Sequence, residues 1–352
     1  MADAEWLRIE TAQRGPAPRL RVALLEPPQR ERALAHALRG LSRWYVARAQ
    51  QQRNWNPDLS IDWRRVHRDH AEAIRRAIAA RAALTTCAMA EVLPRLSRLH
   101  SALDAHGLLA CWAADEARHA GCWTNALQLL GEHGGPLAQP RAAPAAFTRL
   151  LPWEDPLACI AFHLFAKRAA WLADRRLLRT LHDAARPVPD ADTALAAAIR
   201  LVSVDDAVLT YGASEVARFL LYYDPERMLT VLAQVAQALL RTAPARDRGA
   251  LRCPRADDLS TLFMLDATTL VESVVSPVFG VLAVSLSLLT HGSRPPHASV
   301  STTISEHVEW GALEWRVARS AARHAQHAMD AGVPLSADAQ WRAAWALRPG
   351  TA

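Results

Sequence analysis

Apolar and polar residues alternate along most of the chain with the period of a helix. Between Gly107 and Leu130, residues Leu109, Trp112, Glu116, His119, Trp123, Leu127 and Leu130 recur at steps of three and four. They fall on one side of an α-helix, and the stripe is apolar except for one carboxylate and one imidazole. Ahead of it a helix from His67 to about Leu103 turns Ala77, Ala80, Leu84, Cys87 and Glu91 inward. Asp104 to Gly107 closes the hairpin, with glycine as the helix stop. After a Gly- and Pro-bearing loop from Gly131 to about Pro152, a second hairpin is predicted from helices near 155–184 and 192–222, followed by a short helix near 225–242. A third combines the uncharged run Ser273 to Leu289 with a returning helix that carries Glu306-His307-Val308-Glu309. The expected fold is all-α, a bundle of antiparallel helix hairpins with one hairpin more than a four-helix core needs.

This pattern divides the chain into four stretches. Residues 1–65 form an N-terminal arm, broken by Pro16, Pro18, Pro27 and Pro28 and rich in tryptophan, with Trp44, Trp55 and Trp63 set to pack over a helical body or a partner. Residues 66–242 hold the first two hairpins. Residues 243–256, rich in Arg and Pro, read as a linker, and 257–352 hold the third hairpin and a tail with Trp341 and Trp345, packed into the same bundle.

Composition narrows the class of function. Apolar residues make up 51% and charged residues 22%, which is globular. The formal charge is +6, and Lys167 is the only lysine among 41 basic residues. The arginines are scattered and no nucleic-acid motif is present, so the bias fits a GC-rich coding background better than a nucleic-acid surface and leaves room for a basic face toward an acidic protein. Five cysteines without paired spacing suit reduced thiols and a cytoplasmic location. The uncharged 273–289 run is short for a membrane span and contains Pro277, so a buried helix is expected there.

Chemistry is concentrated in a few carboxylates. A buried carboxylate needs a proton, a cation or a metal, and Glu116-x-x-His119 places two ligand-competent groups one turn apart. Glu91 and Glu116 are 25 residues apart about the turn, so an antiparallel hairpin brings them to one height, with Pro94 expected to kink the first helix three residues after Glu91. In the third hairpin Glu272 is a lone charge in an apolar run, 34 residues before Glu306, and Glu306 and Glu309 repeat the three-residue step. The competing reading pairs Glu306 with an arginine and turns Glu309 to solvent. The second hairpin offers His163, Asp174, Asp205, Asp206 and Glu215; Asp174 and Asp206 stand 32 apart, but Leu209 occupies the place of a second histidine, so the pair reads as structural.

Glu91 with the string Asp115-Glu116-Ala117-Arg118-His119 resembles the ferritin-like di-iron superfamily. Leu262 through Pro277 and the closing Trp341 and Trp345 look like segments of the hydroxylase component of bacterial multicomponent monooxygenases, and residues 54–63 more faintly resemble the entry to di-iron N-oxygenases and desaturases. The resemblance implies two iron ions, or manganese, held by Glu91, Glu116, His119, Glu272, Glu306 and Glu309. It implies Asp115 and Arg118 as hydrogen-bonding supports, and Trp112 and Trp123 as walls of a pocket for an apolar or aromatic, free or carrier-bound, substrate. An electron-donor protein and a homo- or hetero-oligomer come with it; nucleic acid and membrane do not. The leading expectation is thus an oxidoreductase, a di-iron oxygenase or hydroxylase subunit. The alternatives are a stand-alone di-iron N-oxygenase or desaturase, and a metal-free β-type subunit that shares the fold and docks onto a catalytic chain. The missing second histidine favours the last.

Overall fold

A computed structural model describes residues 26–52, 55–66, 72–88, 92–96, 106–131, 155–184, 193–242, 265–291 and 307–330. Among them the chain forms α1 (Pro27–Gln52), a 3-10 turn (Trp63–Arg65), α2 (Glu72–Cys87), α3 (His106–Leu129), α4 (Leu157–Ala184), α5 (Thr193–Tyr223) and α6 (Pro225–Thr242). The shorter α7 (Ala267–Leu270), a π-helical turn (Val271–Val275), α8 (Ser276–Leu282) and α9 (Leu288–His291) follow, and α10 (Trp310–Asp330) comes last. No strand occurs among the described residues, only an isolated antiparallel bridge between Val284 and Val308. The fold is all-α, as the helical period implies.

The first two predicted hairpins supply the centre. Helix α4 packs along α5, α2 along α3, and α3 and α2 close against this second pair. Trp112, Phe162, Phe165, Leu209, Phe219 and Phe279 fill the larger core, and Ile74, Ile78, Trp123, Leu195 and Ile199 the smaller one. The inward face of α2 differs from expectation. Ile74, Ile78, Arg81, Leu84, Thr85 and Ala88 are buried, whereas Ala77 and Ala80 are only partly covered. The β-branched pair at 74 and 78 outweighs the alanines, and it carries Arg81 inward with it.

The arm also departs from the sequence reading. Pro27 and Pro28 start a 26-residue helix instead of breaking one, because proline in the first turn removes only donors that have no intrahelical partner. Leu38, Leu41, Trp44 and Tyr45 of α1 enter the main core against α3, α5 and α10. Close approach depends on Gly212 of α5, where a Cβ would lie 2.8 Å from Cε2 of Tyr45.

The third hairpin is broken on both sides. A π turn interrupts the first helix at 271–275, and α8 ends at Ala283 in the left-handed region (φ 59°), where the Val284 N–H donates to the Phe279 carbonyl at 2.9 Å. The chain then pairs with the returning segment: the Ser285 N–H donates to the His307 carbonyl at 2.8 Å, and the Glu309 N–H to the Ala283 carbonyl at 2.9 Å. Residues 307–309 are therefore extended and α10 begins at Trp310. No helix among the described residues is long and apolar enough to cross a membrane.

Candidate functional site: a buried cage of carboxylates and cations

The inward stripe of α3 does carry Glu116 and His119 into the interior. Trp112, Glu116, His119 and Trp123 have no exposed surface, and Asp115 is buried beside them. The groups they meet come from α2, α4 and α5. Helix α4 presents His163, Lys167 and Asp174 at helical spacing on one buried face, and α5 presents Asp205 and Asp206.

Two basic side chains stand among these acids. The Lys167 ammonium forms an ion pair with Glu116 and lies 2.9 Å from Oδ1 of Asp206. The Arg81 guanidinium donates to Asp174 through Nε at 2.6 Å and through Nη2 at 3.1 Å, and Nη2 also reaches Oδ2 of Asp206 at 2.5 Å. Asp206 thus receives both cations. A carboxylate removed from water survives as an anion only when such charges replace the lost hydration. Burial pushes Asp206 upward, but Lys167, Arg81 and His119 together hold it well below the usual carboxylate range. Burial dominates at Asp174, with Asp206 adding to it against Arg81, and its carboxyl rises to about 6. Burial lowers the affinity of Lys167 for its proton, yet Asp206 and Glu116 more than restore it, and the ammonium stays charged.

His119 is held from one side. Its Nε2 lies 3.4 Å from Oδ2 of Asp205, and that carboxylate also accepts from Nε1 of Trp55 at 2.9 Å and from Arg118 at 3.1 Å. Burial raises Asp205, but these hydrogen bonds, led by His119, outweigh it and keep the group ionised. Arg118 also pairs with Asp115, so it bridges α3 to α5. The Trp55 ring stacks on the His119 ring with centroids 6.3 Å apart, and the Arg118 guanidinium lies over the same indole at 5.6 Å. The segment 55–63 is tied down further by Asn125 donating to Asp58 at 2.8 Å. This part of the Trp-rich arm covers the chain's own cage.

The other aromatic groups form the cage wall. The Trp112 ring stacks on His163 at 4.8 Å, and Arg81 lies over Trp123 at 5.4 Å. Burial, reinforced by Lys167, drives His163 down to about 3, so it is a neutral ring at ordinary pH. Tyr45 approaches Asp115 at 3.5 Å.

The remaining ligand candidates do not meet here. Glu272 is exposed on the π turn, and Glu309 is exposed ahead of α10. The three-residue step from Glu306 to Glu309 therefore does not run along a helix at its second member, because the Val284–Val308 bridge holds that stretch extended. Glu91 and Glu306 lie outside the described residues. Glu215 belongs to a separate cluster with Arg218 and Ser320.

Arg81 and Lys167 are the residues of the cage that sequence reasoning missed. Both left a trace: Arg81 interrupts the apolar stripe Ile74, Ile78, Thr85, Ala88, and Lys167 is the one lysine in a chain whose other basic residues are arginine. Asp174 and Asp206 are joined across their hairpin by Arg81, the structural pairing expected of them.

A metal pair does not fit this arrangement. The space between Glu116 and Asp206 is taken by the Lys167 ammonium, and that between Asp174 and Asp206 by the Arg81 guanidinium. No group of three or more His, Cys, Asp and Glu among the described residues is disposed to hold a metal ion. No protein-family model, curated protein or solved structure matches the chain.

Proposed function

We propose that this chain is a non-catalytic, metal-free subunit of an oxygenase assembly, a β-type partner built on the same helical bundle as a catalytic di-iron chain. The observation that carries this reading is the placement of Lys167 and Arg81. Two fixed positive charges stand between the acids that a metal pair would otherwise bridge, which supports an interior held without iron. A buried ionic network is a poor source of net stability, and in some proteins it serves instead to fix one packing arrangement. A subunit that must present a rigid face to a larger partner needs that property.

The outer face of α4 supports a docking role. Arg168, Trp171, Arg175 and Arg179 fall on one stripe, with the Arg168 and Arg175 guanidiniums over the Trp171 ring at 4.7 and 4.9 Å. Arg175, Arg176 and Arg179 are exposed. Arginine and tryptophan are the side chains that most often dominate binding energy at protein interfaces, and an arginine stripe selects an acidic partner. Of the Trp-rich arm, Trp44 and Trp55 pack against the chain's own core and cage.

The reading is tested by producing the chain in iron-replete cells, alone and together with a candidate catalytic di-iron chain. Alone it is expected to carry far less than one iron per chain and to show no oxygenase activity; with the catalytic chain it should co-elute in fixed ratio. Reversing the charge of Arg175 and Arg179 should weaken that complex by about tenfold or more, in keeping with loss of roughly 1.4 kcal/mol or more of binding. Stoichiometric iron and substrate oxidation by the isolated chain would instead support the di-iron oxygenase reading, which the posture of His119 alone favours.

A further inference from the structure

Lys167 stands where a cation with several ligands would stand. Its Nζ pairs with Glu116 and Asp206, and Nδ1 of His119 points toward the same two carboxylates, 3.9 Å from Oε2 of Glu116 and 3.7 Å from Oδ1 of Asp206. That nitrogen is fully buried and has no hydrogen-bond partner, and Oε2 of Glu116 is in the same condition. Unsatisfied polar atoms in a dry interior are costly and demand an explanation. The other ring nitrogen of His119 faces Asp205, which is fixed in turn by Trp55 and Arg118. A carboxylate behind one imidazole nitrogen, with the second nitrogen bare and aimed at acids, is how proteins orient a metal-ligating histidine.

We propose that the Lys167 ammonium is a resident cation filling a latent divalent-metal site, with Glu116, Asp206 and His119 as the donors it displaces. The inference rests on the metal-free reading of the wild-type chain and adds to it that the charge at position 167 keeps metal from these three donors, which form no metal-binding group while it is in place. A lysine suits the task better than an arginine: its charge is compact and spherical, like that of an ion, and it sits on a flexible stem. Carboxylate and imidazole donors together suit Co(II), Mn(II), Fe(II) or Zn(II). Replacing the ammonium by an uncharged side chain leaves two anions facing each other across a bare imidazole, and a divalent ion relieves both defects at once.

The test uses Lys167→Met in the full chain and Co(II) alone as the probe, followed by visible absorption and by metal analysis after dialysis. Wild type and Lys167→Arg are expected to retain no Co(II). Lys167→Met is expected to retain about one ion per chain with the absorption of a nitrogen- and oxygen-ligated site. Adding Glu116→Gln to Lys167→Met should abolish retention, and adding Asp205→Asn should weaken it about 10–100-fold. If Lys167→Met does not fold without metal, refolding with Co(II) should restore its helical circular dichroism. A variant that folds and ignores Co(II), or that Co(II) fails to restore, overturns the proposal and leaves the metal-free reading standing. Stoichiometric Co(II) in the wild type, with Lys167 in place, overturns both.

Discussion

Two clusters of charge are buried in this bundle, and they are built on opposite principles. Around His119, the acids Asp115, Glu116, Asp174, Asp205 and Asp206 outnumber Arg81, Arg118 and Lys167, and nearly every contact is from side chain to side chain. Around Glu215, arginines serve the backbone. Arg218 pairs with Glu215 and donates to the Val281 carbonyl at 3.1 Å, while Arg316 donates to the carbonyls of Gly280 and Val281 at 2.7 and 2.6 Å. Those carbonyls lie in the last turn of α8, where intrahelical donors run out and Gly280 receives from the backbone only the capping N–H of Ala283 at 3.1 Å. Ser320 binds Glu215, and Tyr222 donates to Glu314 at 3.1 Å, which ties α10 to α5. The second cluster is a splice whose purpose is visible in the fold: it seals a broken helix. The first seals nothing. It gathers acids from α3, α4 and α5 and pairs them with cations from α2, α3 and α4, holding four helices together through side chains alone.

The difference can be broken most severely at Arg81. Arg81→Ala leaves Asp174 and Asp206 without their guanidinium in a dry interior, and should cost roughly 3–5 kcal/mol in denaturant unfolding. In the splice, Arg218→Met leaves the buried Glu215 with Ser320 but without its guanidinium, while Arg316 continues to cover the Val281 carbonyl, so a cost of roughly 3 kcal/mol is expected. The loss should appear first as early proteolysis near Ala283. Trp55→Phe keeps the ring over His119 but removes the indole donor to Asp205; a loss of about 1.5 kcal/mol is expected, with no effect on the splice.

A pH comparison sharpens the contrast. His163 titrates near 3 in the folded chain and near 6.5 when unfolded, so between those values the unfolded chain binds more protons. Its contribution to stability is intact above 6.5 and is lost as pH falls toward 3. Asp174, raised to about 6 from 3.8, acts in the opposite sense: its contribution is present below 3.8 and is lost as pH rises through 6. His163→Phe keeps the stack on Trp112 and removes only the first of these effects. Stability measured from pH 7 to 4 should therefore fall less steeply in the variant than in the wild type. The smallest effects belong to Glu272→Gln and Glu309→Gln. Both residues are exposed, and each substitution should stay within about 0.5 kcal/mol of wild type.

The helical period made α3, α4, α5 and α6 legible to within a few residues, although 157–167 of α4 and 212–222 of α5 are buried on every side and not along one stripe. It also identified Glu116 and His119 as interior residues. Legibility ended where three-dimensional partners decide the outcome. Arg81 reads as a surface residue unless Asp174 and Asp206 are known to face it from other helices. Glu272 reads as buried because its neighbours in sequence are apolar, yet the π turn rotates it outward while Val274 and Val275 stay inside. The proline-rich entry to α1 concealed a long helix, since two prolines at a helix start look the same in sequence as two that end one.

The most direct measurement uses the single lysine. Chain labelled with [ζ-15N]lysine should give one ammonium resonance, that of Lys167, and a buried, ion-paired ammonium exchanges its protons slowly enough to be seen above neutral pH. The account predicts that sharp signal in the folded wild type, unchanged when iron(II) is added under anaerobic conditions. An ammonium exchanging with solvent as fast as free lysine, or one that disappears on addition of stoichiometric iron, would contradict it.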